Sequence, residues 1–165
     1  KKLKPEERER LAALIRERAI AYKVCVESCE TIDSINILEA TRLCMKRAVE
    51  GLAVQPDVVF TDGNFRLQID LPQQNIVRGD ALSYTIGAAS ILAKVYRDAL
   101  MCEYDKLYPQ YGFAVHKGYG TKRHTDAIRE YGLCKIHRRT FTKKFWEGAE
   151  SEEEQNTLNP SGTKF

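Results

Sequence analysis

Asp57-Val58-Val59-Phe60-Thr61-Asp62-Gly63 is the stretch on which the fold turns. Residues 57–61 form a short, β-branched and apolar run, bounded by Pro56 before it and Asp62-Gly63 after it. That reads as a buried strand whose C-terminal end carries an acid and a turn. Asn75-Ile76-Val77 repeats the theme and leads into Gly79-Asp80. Asp62 and Asp80 therefore occupy matching places, each at the end of an apolar strand and beside a glycine.

Helical patterns surround these strands. Pro5 to Tyr22 predicts an amphipathic helix: Pro5 suits a first turn, Glu6 and Glu7 suit the positive end, and Leu11, Leu14, Ile15 and Ala19 share a face. Lys23–Ser28 alternates, with Val24 and Val26 on one side, and predicts a short strand. Ser34 to Leu52 predicts a second helix, capped by Asp33 or Ser34. A long Ala-rich helix is expected from about Ala81 to Leu107, stopped by Pro109, with Gly87, Ala88, Ala89, Ser90 and Ala93 allowing close approach of another backbone. Thr121–Tyr131 predicts a short helix closed by Gly132. Strands alternating with helices define an α/β chain, or α+β with a mixed sheet.

Carboxylates brought together from adjacent strands repel each other unless a cation lies between them. Hard oxygen ligands select Mg²⁺ or Mn²⁺, which activate water and stabilise a leaving oxygen in phosphodiester cleavage. On spacing alone, an Asp-Gly turn at Asp62 and a helix cap at Asp80 are equally ordinary uses of these residues. The pair does not identify an enzyme unaided.

The run Tyr108-Pro-Gln-Tyr-Gly-Phe-Ala-Val-His116-Lys117-Gly118-Tyr119-Gly120-Thr121 is the richest in chemistry. His116 and Lys117 suit contact with phosphate. Tyr119, between two glycines, suits outward presentation to a sugar or base. Tyr108, Tyr111 and Phe113 read as an aromatic mini-core. Cys134-Lys-Ile-His137 has half the spacing of a zinc site, but no second Cys/His pair accompanies it.

The whole composition is that of a globular chain, 43% hydrophobic and 30% charged over 165 residues, right for one domain. The apolar stretches are interrupted well short of bilayer length, and the N-terminus has no signal-peptide pattern. Five scattered cysteines read as reduced, mostly buried thiols, and the expected location is cytoplasmic. Of the 26 basic and 23 acidic residues, one base and five acids lie in 147–165, leaving a balance of +7 for residues 1–146. Such an excess suits a polyphosphate partner, although ordinary solubilising charge explains it as well. Residues 1–146 are read as the domain and 147–165 as an acidic, disordered tail.

Several motifs together resemble the ribonuclease HII family. They are Ile32-Asp-Ser-Ile-Asn36-Ile-Leu38-Glu-Ala40-Thr41, Val58-Val59-Phe60-Thr61-Asp62-Gly63, and Gly79-Asp80 followed by Ile86-Gly-Ala-Ala-Ser90-Ile-Leu-Ala-Lys94-Val95-Tyr96-Arg97-Asp98. His116-Lys-Gly-Tyr119-Gly-Thr121-Lys-Arg-His124 and Ile136-His137-Arg138-Arg139-Thr140-Phe141 follow in the family's order, and Lys1-Lys2-Leu3 resembles the end of its Asp-Ser-Lys-x-Leu segment. The likeness runs from residue 1 to about residue 142. It implies an RNase H-like mixed sheet flanked by helices and a four-carboxylate site. It also implies two divalent ions, Mn²⁺ or Mg²⁺, and a monomer at full length. The implied partner is an RNA–DNA hybrid duplex or DNA with embedded ribonucleotides, cut 5′ to the ribonucleotide. Asp62 and Asp80 match two of the four acids. Tyr119 matches the tyrosine that senses the deoxyribose side of an RNA–DNA junction, and Lys1 a lysine near the nucleic-acid backbone. His116, Lys117, Lys94 and Arg138 are the further residues expected at the substrate.

One departure is large. The family's Asp-Glu-Ala-Gly-Arg-Gly motif, source of the other two acids and of the grip on the ribose 2′-hydroxyl, is absent. The expectation is a truncated chain lacking two strands of the sheet and deficient in catalysis by itself. The rival expectations are a non-catalytic nucleic-acid-binding module and an interaction domain working through its acidic tail.

Overall fold

In the computed structural model, residues 3–143 are described. The order of elements is α1 (Pro5–Arg18), α2 (Cys29–Glu50), β1 (Val59–Asp62), β2 (Gln73–Ile76), α3 (Gly79–Leu82), α4 (Tyr84–Leu107), α5 (Phe113–His116) and α6 (Lys122–Tyr131). They fall in two compact units, Lys1–Leu100 and Met101–Phe165, with the division inside α4. The anticipated acidic tail at 147–165 lies outside the described residues.

The first unit is built on a parallel pair of strands, in register Val59↔Gln73 through Asp62↔Ile76. Parallel pairing needs a crossover, which residues 63–72 provide here without a helix. Val59 and Thr61 point inward while Phe60 and Asp62 face out, the period-2 alternation of a strand. Gly63 donates to the Ile76 carbonyl at 3.1 Å, closing the ladder, and takes φ +118°, a conformation suited to glycine.

Several expected boundaries move. Lys23–Ser28 is not a strand: among the described residues the sheet has only β1 and β2, so this segment has no ladder to join. Glu27, nearly buried, instead accepts from the Arg47 guanidinium at 2.8 and 2.9 Å, fastening the extended segment to α2. Helix α2 starts earlier than expected, at Cys29, because Ser28 accepts from the Thr31 N–H. It is broken at Asn36 (φ 66°), whose Oδ1 accepts from Leu38 N–H and Glu39 N–H and so caps the second half anew. The anticipated helix from Ala81 is two elements, α3 and α4, parted at Ser83 with extended dihedrals. Helix α1 ends at Arg18, and its buried residue is Ala12 rather than the anticipated Leu and Ile positions, which are half-buried.

In the second unit, Tyr111, Phe113, Ala127 and Ile128 form a core, with Tyr104, Tyr108, Leu133, Cys134 and Ile136 packed on it. The aromatic mini-core expected from 108–113 is thus present, with Tyr111 stacked on Phe113 at 5.4 Å and its hydroxyl donating to Gly132 O. Helix α6 has the anticipated termini, with Thr121 accepting from His124 N–H and Gly132 in the positive-φ position after it. All five cysteines are free and half-buried, less covered than expected.

Candidate functional site

Asp62 is the last residue of β1, on its outward face. Because β1 and β2 run parallel, their C-terminal ends share one edge of the pair. The chain leaving β2 turns at Arg78, in the left-handed region (φ 58°), and starts α3 against that edge. There the Gly79 N–H donates to Asp62 Oδ1 at 2.8 Å. Asp80 follows at once, so one peptide unit separates it from the group that holds Asp62. Glycine leaves room for this approach: a Cβ at position 79 would lie 2.5 Å from Ile86 Cδ1, so that side chain would have to shift, and 3.5 Å from Asp62 Cα. Gly87 gives the same latitude one turn into α4, where a Cβ would stand 3.3 Å from the Asp80 carbonyl oxygen. The close backbone approach anticipated from the small-residue stripe thus occurs at Gly87.

Both carboxylates are exposed. With Oδ1 of Asp62 oriented by an amide, its second oxygen is left for a ligand. Exposed hard oxygens suit a hard divalent cation, which takes six or more of them and accepts water for the remainder. The two acids therefore fit part of a metal shell. No third His, Cys, Asp or Glu joins them in a cluster able to hold an ion, among the described residues.

The other anticipated residues have varied settings. Tyr119 is 61% exposed, facing outward as expected. Lys117, in the left-handed region at the end of α5, donates to Cys102 Sγ at 2.9 Å. Lys94 is paired with Asp98 at 2.7 Å, and Arg8 of α1 approaches the same carboxylate at 3.6 Å. The Arg138 guanidinium lies 4.7 Å from the centre of the Phe141 ring. His116, anticipated at a phosphate, is buried; its Nε2 bonds the Tyr111 carbonyl at 2.7 Å and its Nδ1 accepts from Gly118 N–H at 3.2 Å. Lys1 lies outside the described residues.

No joint role for the histidines was legible in the sequence. The chain has three, His116, His124 and His137, all buried and meeting under the Tyr119 loop. His116 stacks on His124 at 4.3 Å, and His124 Nε2 lies 3.0 Å from His137 Nε2. Burial lowers the pKa of His124, and burial with His124 alongside lowers that of His137 to about 4. The available signal was their confinement to 22 consecutive residues, 116–137.

A parallel strand pair among helices, carrying acids at its C-terminal edge, defines an α/β protein of the kind that gathers ligands there. The crystal structure of the ribonuclease H2 from Pyrococcus horikoshii OT3 shares the fold. It superposes with TM-score 0.73, covering 96% of this chain and 80% of that one at 23% identity. The family model for ribonuclease HII matches residues 1–147, and the chain belongs to that family. Among its relatives, the ribonuclease HII of Desulfitobacterium hafniense (strain DSM 10664 / DCB-2) is 54% identical over 141 residues, 86% of this chain and 54% of the relative. That of Lactobacillus acidophilus is 50% identical over 141 residues, 86% of this chain and 56% of the relative. The chain thus spans about half the length of these two relatives.

Proposed function

We propose that this chain supplies part of the metal-binding edge and of the duplex-facing surface of a metal-dependent ribonuclease H. The protein built on it hydrolyses the RNA strand of RNA–DNA hybrids and cuts 5′ to ribonucleotides embedded in duplex DNA. The observation that carries the reading is the junction at the strand edge, where the exposed Asp62 is held by the Gly79 N–H and the exposed Asp80 is the next residue in the chain.

Asp62 and Asp80 would hold Mg²⁺ or Mn²⁺, and two such ions when bound lower the pKa of an attacking water and stabilise the leaving oxygen. The rest is done by the chain itself. Gly79 N–H keeps the Asp62 carboxylate from rotating, so its outward oxygen is presented in a constant direction. Tyr119 offers an exposed ring on which a sugar of the duplex can pack. The +7 balance of residues 1–146 draws the polyanion in.

A second reading is favoured by one observation: no third acid, His or Cys clusters with the pair among the described residues. Two carboxylates are a sparse shell, so the 165-residue chain by itself binds duplex without efficient turnover. Both readings meet in one experiment. The chain, and the chain extended in front by the family's Asp-Glu-Ala-Gly-Arg-Gly segment, are given a duplex with one ribonucleotide and Mn²⁺ or Mg²⁺. The expected result is binding by both and efficient cleavage by the extended form, abolished in Asp80→Asn with binding kept. Full activity of extended Asp80→Asn would overturn the assigned role of that acid.

A further inference from the structure

The three histidines are ordered by more than packing. Two imidazole nitrogens 3.0 Å apart, His124 Nε2 and His137 Nε2, form a hydrogen bond only when one carries a proton and the other does not. The ends of the chain decide which. The backbone N–H of Cys134, which can only donate, lies 3.0 Å from His137 Nδ1, so that nitrogen is bare and the proton is on Nε2. The carbonyl of Tyr119, which can only accept, lies 3.0 Å from His124 Nδ1, so that nitrogen is protonated and Nε2 is bare. One continuous path results: Cys134 N–H to His137, His137 Nε2–H to His124, and His124 Nδ1–H to the Tyr119 carbonyl.

Its far end is the residue whose ring stands exposed. Tyr119 N–H donates to the His116 carbonyl at 2.9 Å, and Tyr119 O accepts from Thr121 N–H at 2.8 Å as well as from His124. The backbone is thus held from three sides while the side chain projects. A packing role alone could be filled by an apolar ring; a donor aimed at a loop carbonyl could not.

We propose that His124 and His137 are positioning residues for Tyr119, whose relay of neutral imidazoles fixes that loop in the pose from which the tyrosine meets a bound duplex. The inference rests on the reading of Tyr119 as a substrate-facing residue. The relay tolerates no added proton: a protonated His124 sets donor against donor at the His137 contact. The titratable groups facing the pair are His116 of α5 stacked on His124, Cys134 Sγ at 3.1 Å from His137 Nδ1, and Tyr111 edge-on to His137. The Arg123 guanidinium lies against Gly112 at the start of α5.

The test uses the chain extended in front by the family's Asp-Glu-Ala-Gly-Arg-Gly segment, with ¹⁵N-labelled histidine, and two synthetic duplexes, all-DNA and DNA with one ribonucleotide. At neutral pH, imidazole ¹⁵N shifts should show Nδ1–H on His124 and Nε2–H on His137; the opposite tautomers would overturn the relay. His124→Asn keeps an N–H at the Nδ1 position, whereas His124→Gln moves the amide to the Nε2 position and drops the Tyr119 bond. Loss of one such bond should lower the preference for the ribonucleotide duplex about 5-fold in His124→Gln. Tyr119→Ala should lose as much or more, the double variant no more than Tyr119→Ala, and His124→Asn should stay near wild type. Preference lost in Tyr119→Ala but kept in His124→Gln overturns the positioning role alone. Preference kept in Tyr119→Ala overturns the reading of the tyrosine and the inference with it. Should His124→Gln fail to fold, titration of the wild-type chain decides: preference must fall in step with protonation of His124, and preference unchanged across that titration overturns the proposal.

Discussion

At the scale of single residues, the two kinds of polar group in this chain respond differently to change. Asp62 binds Gly79 N–H through a carbonyl-type oxygen that asparagine also has. Asp62→Asn is therefore expected to change stability in EDTA by less than about 0.5 kcal/mol, while abolishing any rise in melting temperature on adding Mn²⁺. Melting curves with and without the metal check both halves. His137 behaves as a buried neutral base. Its folded pKa of about 4 lies below the ordinary 6.5, so between those values the unfolded chain takes up a proton that the folded chain does not. Stability is then independent of this group above pH 6.5 and falls as the pH drops through that window. The full difference corresponds to about 3 kcal/mol, which solvent screening reduces to roughly 2 kcal/mol. Urea unfolding at pH 7 and pH 4.5 should show the loss, and His137→Gln should flatten the slope.

At the scale of elements, joints matter more than helix interiors. The kink in α2 exists because Asn36 combines a positive φ with a side chain that caps two amides. Asn36→Ala loses both advantages and is expected to cost about 1–2 kcal/mol, with Asn36→Gly costing less since it keeps the backbone freedom. Comparing urea midpoints of the two variants measures the cap apart from the strain. The joint between β1 and α3 is tighter. Gly79→Ala drives a methyl to 2.5 Å from the buried Ile86, which must move. A loss of about 1–3 kcal/mol is expected, as for other overpacked sites, with weaker Mn²⁺ binding as the Asp62 contact opens. Calorimetric titration with Mn²⁺ reads the second effect.

At the scale of the molecule, the sheet is the weak part. Each strand has one hydrogen-bonded neighbour among the described residues, and Val58, Phe60 and Val77 expose apolar surface around the pair. Two strands alone are marginal, and an apolar edge is a template for association. The isolated 165-residue chain is expected to associate increasingly with concentration and to melt over a broad range. Sedimentation and thermal unfolding at several concentrations check this; a monomer with a sharp, reversible transition contradicts it.

Local chemistry was legible in the sequence. The run 57–63 announces a strand ending in an acid, Thr121 and Gly132 bracket α6, and Tyr108, Tyr111 and Phe113 announce an aromatic core, because turn residues, caps and apolar periods act over a few neighbours. Ordered motifs were enough to point to the family. Only the tertiary structure decided what depends on distant partners. Lys23–Ser28 has a strand's alternation but no ladder, since a strand exists only by pairing with another. Asn36 breaks α2 because its side chain captures amides that a continuous helix would have used. Gly79 reads only as the glycine before Asp80 until Ile86 is seen beside it. In the sequence His116 reads as fit for phosphate, and His137 as half of a zinc spacing that no second pair completes. Folding closes the three histidines on one another, and burial then sets their protons, which no spacing along the chain can express.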